Sequence, residues 1–129
     1  LLKPFEGSDR TIQALKKLGY KICSFTAFPK SVVKAMFTAF RWEMPFLSSD
    51  DIEEPRPSPM GILKSAEMLG SRPSECVAVG DTIGDILSAK AAGSHVIAVA
   101  TGLFSHDQLQ REGPDAVISI IEELLQILK

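Results

Sequence analysis

The stretch from Glu75 to Gly93 constrains the fold of this chain more than any other. An apolar run, Cys76-Val77-Ala78-Val79, ends in Gly80-Asp81-Thr82-Ile83-Gly84-Asp85 and continues into Ile86-Leu87-Ser88-Ala89-Lys90-Ala91-Ala92-Gly93. The pattern predicts a buried strand, a tight turn carrying two acids, and a short helix stopped by glycine. In open parallel sheets, ligands sit at the carboxyl ends of the strands. Asp81 falls at such an end and Asp85 follows one helical turn later, so both carboxylates can face one point. A hard divalent cation with oxygen ligands requires that arrangement, which makes the pair a candidate magnesium site. A plainer reading is that Asp81 only caps the helix by accepting from its free amides. The second acid at this spacing argues for the metal.

The rest of the chain repeats the same alternation of strand and helix, the signature of βα units and a mainly parallel sheet. A first helix is expected from Ser8 or Asp9, either of which can cap it, with Ile12, Leu15 and Leu18 on one face and Gly19 ending it. A strand follows from Tyr20 to Thr26. A second helix spans Lys30 to Phe40, with Val33, Phe37 and Phe40 on its buried side, and Pro45 to Ser48 reads as a short strand. An acidic, proline-rich loop from Ser49 to Pro59 leads to a third helix, Pro59 to Leu69, presenting Ile62, Leu63, Ala66 and Leu69. Beyond Gly93 come the apolar run His95 to Ala100, which ends in Thr101-Gly102, a polar helical turn near Leu109, a strand Ala116 to Ser119 and a terminal helix to Lys129. The runs at 20–26, 75–80 and 95–100 are near-continuous in apolar residues, as strands covered on both faces are. The expected fold is therefore α/β in three layers, Rossmann-like, within one domain.

Composition excludes several classes of partner. With 129 residues, 45% hydrophobic and 23% charged, the chain is that of an ordinary globular domain. A formal net charge of -2 gives no electrostatic reason to expect nucleic acid or an anionic membrane. No apolar stretch approaches the roughly 18 residues needed to span a bilayer, and the first residues form no secretory signal. A cytoplasmic setting is expected. Cys23 and Cys76 lie within strand patterns and read as buried thiols rather than a disulfide. His95 and His106 have no cysteine or acid at ligand spacing and read as structural or surface residues.

Two further strand or loop ends carry polar groups. Thr26 closes the run Ile22-Cys23-Ser24-Phe25, offering a hydroxyl and following amides suited to an anionic oxygen. Arg56, in Arg56-Pro57-Ser58-Pro59 just before a helix, aims a permanent cation at a phosphate or carboxylate. Taken singly, Thr26 is a common strand residue and Arg56 a solvated loop charge. In this order with Asp81 and Asp85, the set resembles the haloacid dehalogenase (HAD) superfamily, in its phosphoglycolate phosphatase-like branch. The resemblance runs from Lys3-Pro4-Phe5-Glu6-Gly7 to the final helix. Thr26 is similar to the family's second motif, Arg56 to its third, and Gly80-Asp81-Thr82-Ile83-Gly84-Asp85 to its fourth, the strongest match.

What the resemblance implies is a magnesium-dependent phosphatase acting on a small phosphorylated metabolite. Thr26, with the Ala27 amide, would bind a phosphoryl oxygen, Arg56 would offset charge on nucleophile and phosphate, and Asp81 with Asp85 would hold Mg2+. Ala27 stands where many relatives carry Asn, and Arg56 where the closest usually carry Lys. The family's first motif, Asp-x-Asp, which supplies the nucleophile, occurs nowhere here. Residues 1–129 are therefore expected to be part of a HAD core whose nucleophile strand and cap domain lie upstream, and to be inactive alone. Substrate choice would rest largely with the cap, which leaves phosphoglycolate, a sugar phosphate, pyrophosphate and a nucleotide open. The alternative is a non-catalytic phosphate- or metal-binding or protein-interaction module on the same fold. A dinucleotide-binding fold is weaker, because no Gly-x-Gly-x-x-Gly follows a strand.

Overall fold

Residues 7–128 are described by a computed structural model. Helix α1 (Ser8–Lys17) begins after Gly7, not on a side-chain cap from Ser8 or Asp9. Asp9 instead accepts from the Trp42 indole, and Thr11 donates its hydroxyl to the Gly7 carbonyl at 2.8 Å. Its buried face is Thr11 and Leu15, whereas Leu18, expected inside, is 55% exposed because the helix has already ended there. Strand β1 (Ser24–Phe25) leads to α2 (Lys30–Phe40) and β2 (Phe46–Leu47). Val33 anchors α2, and Phe37 stacks edge-on against both Trp42 (5.8 Å) and Phe46 (5.1 Å). A single 3-10 turn over Ser49–Asp51 precedes α3 (Met60–Met68). Of the residues expected on its buried face, Ala66 is buried but Leu63 is exposed, because Gly61 and Ala66 set the line of contact with β1.

The second half of the chain holds β3 (Val77–Gly80), α4 (Ile83–Ala92), β4 (His95–Val99), α5 (His106–Gln110), β5 (Ala116–Ile118) and α6 (Leu124–Ile127). Gly93, at φ 77°, ends α4 in the left-handed conformation a helix stop favours. The expected terminal helix is a 3-10 turn over Ile121–Glu123 followed by α6, while Lys129 and the segment Lys3 to Glu6 lie outside the described residues. No helix among the described residues is long and apolar enough to cross a membrane.

Among the described residues every strand pairing is parallel, but the strands form two sheets, β1-β2 and β3-β4-β5. In the larger sheet, Ile86, Ala89, Val96, Ala98 and Leu109 pack on one face, and Ile97, Val99, Ile118 and Leu124 on the other. β4 is thus covered on both sides, as its apolar run predicts. β3 is not: Val77 and Val79 are 36% and 43% exposed, β3 being the edge strand of its sheet among the described residues. The strand expected over 20–26 contracts to two paired residues for a related reason. Its ladder partner β2 is equally short, and its other edge has no strand beside it among the described residues.

One defect sits in the core. Ser88 is fully buried on α4, and its hydroxyl has no hydrogen-bond partner among the described residues. An unbonded buried hydroxyl costs about 1–3 kcal/mol, so Ser88→Ala should raise stability by about 1 kcal/mol in a urea melt. A loss of that size would mean that the hydroxyl is bonded.

Candidate functional site

The acidic turn is built around Asp85. Thr82, in extended conformation, caps α4: its hydroxyl accepts from the Asp85 amide at 3.1 Å. Asp85 reciprocates, its Oδ2 accepting from the amides of Asp81 and Thr82, each at 3.1 Å. This is a capping box, in which the third residue of the helix returns the cap's bond. The helix cap is therefore Thr82, and Asp81 is left out of it. Gly80 is required by closeness alone, because a Cβ there would lie 2.4–2.5 Å from Asp85 side-chain atoms.

The other Asp85 oxygen meets Arg56. Arg56 Nε is 2.5 Å from Oδ1, and the two side chains are only 25% and 17% exposed. Arg56 Nη2 also donates to the Phe25 carbonyl at 3.1 Å, and its guanidinium carbon lies 4.0 Å from the centre of the Phe25 ring. A flat, weakly hydrated cation is suited to this combination of ion pair, carbonyl and aromatic face. Arg56 thus ties the end of β1 to the turn after β3 and is no freely solvated loop charge.

Thr26 follows β1 directly. Its amide donates to Leu47 O at 3.1 Å, and its hydroxyl oxygen accepts from the Phe28 amide at 3.2 Å, which leaves the hydroxyl hydrogen to donate elsewhere. Ala27 is exposed, and its amide has no acceptor among the described residues. Asp81 stands apart from the ties that hold Asp85: no donor among the described residues reaches its carboxylate, and Gly102, in the loop after β4, leaves it room, since a Cβ there would be 3.0 Å from Oδ2.

Those two acids differ in what they can offer a cation. Both Asp85 oxygens are engaged, whereas neither Asp81 oxygen has a partner among the described residues. Magnesium is commonly held by one or two carboxylates with water and phosphate oxygens completing its shell, and Asp81 fits that use. No cluster of three or more His, Cys, Asp or Glu that could cage a metal occurs among the described residues. The cysteines, expected to be buried strand residues, are free, half-buried and sit just before β1 and β3. Burial pushes both thiols above their usual pKa, which disfavours the thiolate nucleophile. His95 is 3.5 Å from Asp115 at the start of β4, the strand end away from the acidic turn.

Residues 1–99 match the family model described as haloacid dehalogenase-like hydrolase. The chain belongs to that family. A pyrophosphatase, PpaX, of Bacillus mycoides is 32% identical over 131 residues, covering 99% of this chain and 61% of that protein. PpaX of Halalkalibacterium halodurans is 28% identical with the same coverage. The chain therefore spans 61% of the length of these relatives. Among solved structures, a predicted phosphoglycolate phosphatase from Haemophilus somnus superimposes with a TM-score of 0.89 at 25% identity, covering 98% of this chain and 58% of that one. A hydrolase from Pseudomonas syringae gives 0.88 at 24% identity, covering 96% and 60%. These likenesses bear out the α/β fold with parallel sheets and a partial haloacid dehalogenase core.

Sequence patterns carried Thr26, Arg56, Asp81 and Asp85 but not Thr82, Gly102 or Phe25. Thr82 was visible in principle as Thr-x-x-Asp before a helix. Phe25 and Gly102 carried no such signal, because their part depends on which loops the fold brings together.

Proposed function

We propose that residues 1–129 form the larger share of a magnesium-dependent phosphatase core of the haloacid dehalogenase type, acting on a small phosphorylated metabolite. The observation that carries this reading is the ion pair of Arg56 with Asp85, which with the bond to the Phe25 carbonyl brings the end of β1 to the acidic turn after β3 where Asp81 stands. Thr26 donates its hydroxyl hydrogen to a phosphoryl oxygen, and the Ala27 amide supplies a second donor. Arg56 offsets the negative charge that gathers when phosphate and a carboxylate nucleophile approach each other. Asp81 holds Mg2+ directly, while Asp85 serves the metal at most through water and keeps Arg56 and the turn in place. When bound, magnesium neutralises charge on the phosphoryl oxygens and helps to orient them. Positioning and electrostatics of this kind supply most of the catalysis in phosphoryl transfer.

The nucleophile belongs, in this reading, to a further strand of the complete protein. The names of the relatives favour pyrophosphate and phosphoglycolate as the first substrates to assay.

The test is Asp81→Asn in the complete protein. Turnover should fall by about 100-fold or more, on the scale of removing one preorganised electrostatic group, and magnesium affinity measured by calorimetry should fall with it. Asp85→Asn should spare magnesium affinity more than Asp81→Asn does. Equal affinity in wild type and Asp81→Asn would overturn the assignment, and a complete protein with no magnesium-dependent phosphatase activity would favour the binding module instead.

A further inference from the structure

Two in-plane contacts do not by themselves fix a guanidinium. Arg56 gives its Nε to Asp85 Oδ1 at 2.5 Å and an Nη2 hydrogen to the Phe25 carbonyl at 3.1 Å. The two donors lie along one edge of the fork, so the plane can still hinge about that edge. The Phe25 ring closes the hinge from one side, its centre 4.0 Å from the guanidinium carbon. Phe25 thus holds the cation twice, by its backbone oxygen at the rim and by its ring on the face. The ring is itself backed by α3 with no side chain between them, since a Cβ at Gly61 would fall 2.1 Å from its Cε2 and Cζ. A guanidinium has five N–H donors, and the two contacts leave three, whose direction depends on the plane.

We propose that Phe25 is a positioning residue for the phosphate site: its ring fixes the plane of Arg56, and with it the direction of the three remaining N–H donors, and makes position 56 specific for arginine. This rests on the reading above that Arg56 serves a phosphoryl group. A planar, weakly hydrated cation is drawn to an aromatic face most strongly when partly desolvated, and the Arg56 side chain is only 25% exposed. Lysine at 56 would keep the charge but not the plane. Its strongly hydrated amine offers a ring face nothing to orient, and after meeting both carboxylate and carbonyl it retains one N–H. Phe25 also stands directly before Thr26, so the ring that orients the cation and the hydroxyl that would meet the phosphate are set by one short pairing, Phe25 with Leu47. Loss of the ring alone leaves the carbonyl, the ion pair and the charge. The resulting defect is therefore in how tightly phosphate is held, and it depends on which residue occupies position 56.

A double-mutant cycle in the complete protein tests this, read as affinity for inorganic phosphate by calorimetry in the presence of magnesium, which needs no turnover. In the Arg56 background, Phe25→Leu should weaken phosphate binding by about fivefold or more, the scale of a partly desolvated cation–π contact. In the Arg56→Lys background, the same change should weaken it by less than about twofold, because the amine has no plane for the ring to hold. If Phe25→Leu alone does not fold, the cycle is run with Phe25→Leu joined to Gly61→Ala, whose methyl fills part of the volume the ring vacates. Equal losses in the two backgrounds would mean that the ring serves packing alone. No loss in either would mean that Asp85 and the carbonyl hold the cation without it. Both results overturn the proposal and leave the phosphatase reading intact, whereas a wild-type complete protein that binds no phosphate overturns the two together.

Discussion

Purified residues 1–129 should leave para-nitrophenyl phosphate and pyrophosphate at their buffer rates of hydrolysis, with or without magnesium. Thr26, Arg56, Asp81 and Asp85 can form much of a phosphate and metal cradle, but none of them is placed to attack phosphorus. Asp85 is locked between Arg56 and two backbone amides, and Asp81 is, in the proposed reading, the carboxylate left for the cation. Loss of the nucleophile from an enzyme that works through a covalent intermediate costs on the order of 10⁶-fold in turnover, far more than the remaining electrostatics recover. The comparison is a direct assay of the 129-residue chain beside the complete protein at equal molar concentration. Robust turnover by the short chain, abolished by Asp81→Ala, would show that another residue supplies the nucleophile.

The second large effect is structural. Gly61→Ala should cost about 2–3 kcal/mol, at the upper part of the range for overpacking a buried contact. Gly61 is buried where α3 crosses β1, and a Cβ there would fall 2.1 Å from the Phe25 ring. The alanine would ordinarily favour a helix over glycine, so a net loss isolates the steric term. Phe25 cannot retreat without disturbing Arg56, which lies on its ring and bonds its carbonyl. Urea denaturation should show the lowered midpoint, and the complete protein should lose phosphate affinity alongside stability. A change within about 0.5 kcal/mol, the range of an ordinary surface substitution, would mean that the ring moves aside freely.

Local signals carried most of the element order. The helix over Lys30 to Phe40 matched to the residue, and Gly93 stopped α4, because apolar spacing and a helix-stopping glycine act over a few neighbours. Misreadings arose where the deciding partner lies far along the chain. The run over 20–26 has the composition of a full strand, yet a ladder is no longer than its neighbour, and β2 pairs only two residues. Val77 and Val79 read as covered on hydrophobicity alone, but β3 is an edge. Leu63 fitted a helical stripe, while the close approach at Gly61 turned α3 away from it.

The candidate site was legible as a set of residue types and not as a set of bonds. Asp81 and Asp85 have the same spacing on paper as two equal ligands. Only the turn geometry distinguishes an acid whose oxygens are spent on amides and a guanidinium from one whose oxygens are open.

That division has a mechanical consequence. One Asp85 oxygen holds the turn at the start of α4 and the other holds Arg56, so the helix end and the cation are coupled through one side chain. A pull on Arg56 from an anion is transmitted through Asp85 to the amides of Asp81 and Thr82. The exchange rate of those two protons would register the position of a side chain on a different loop, making the end of the helix a gauge of the charge beside it.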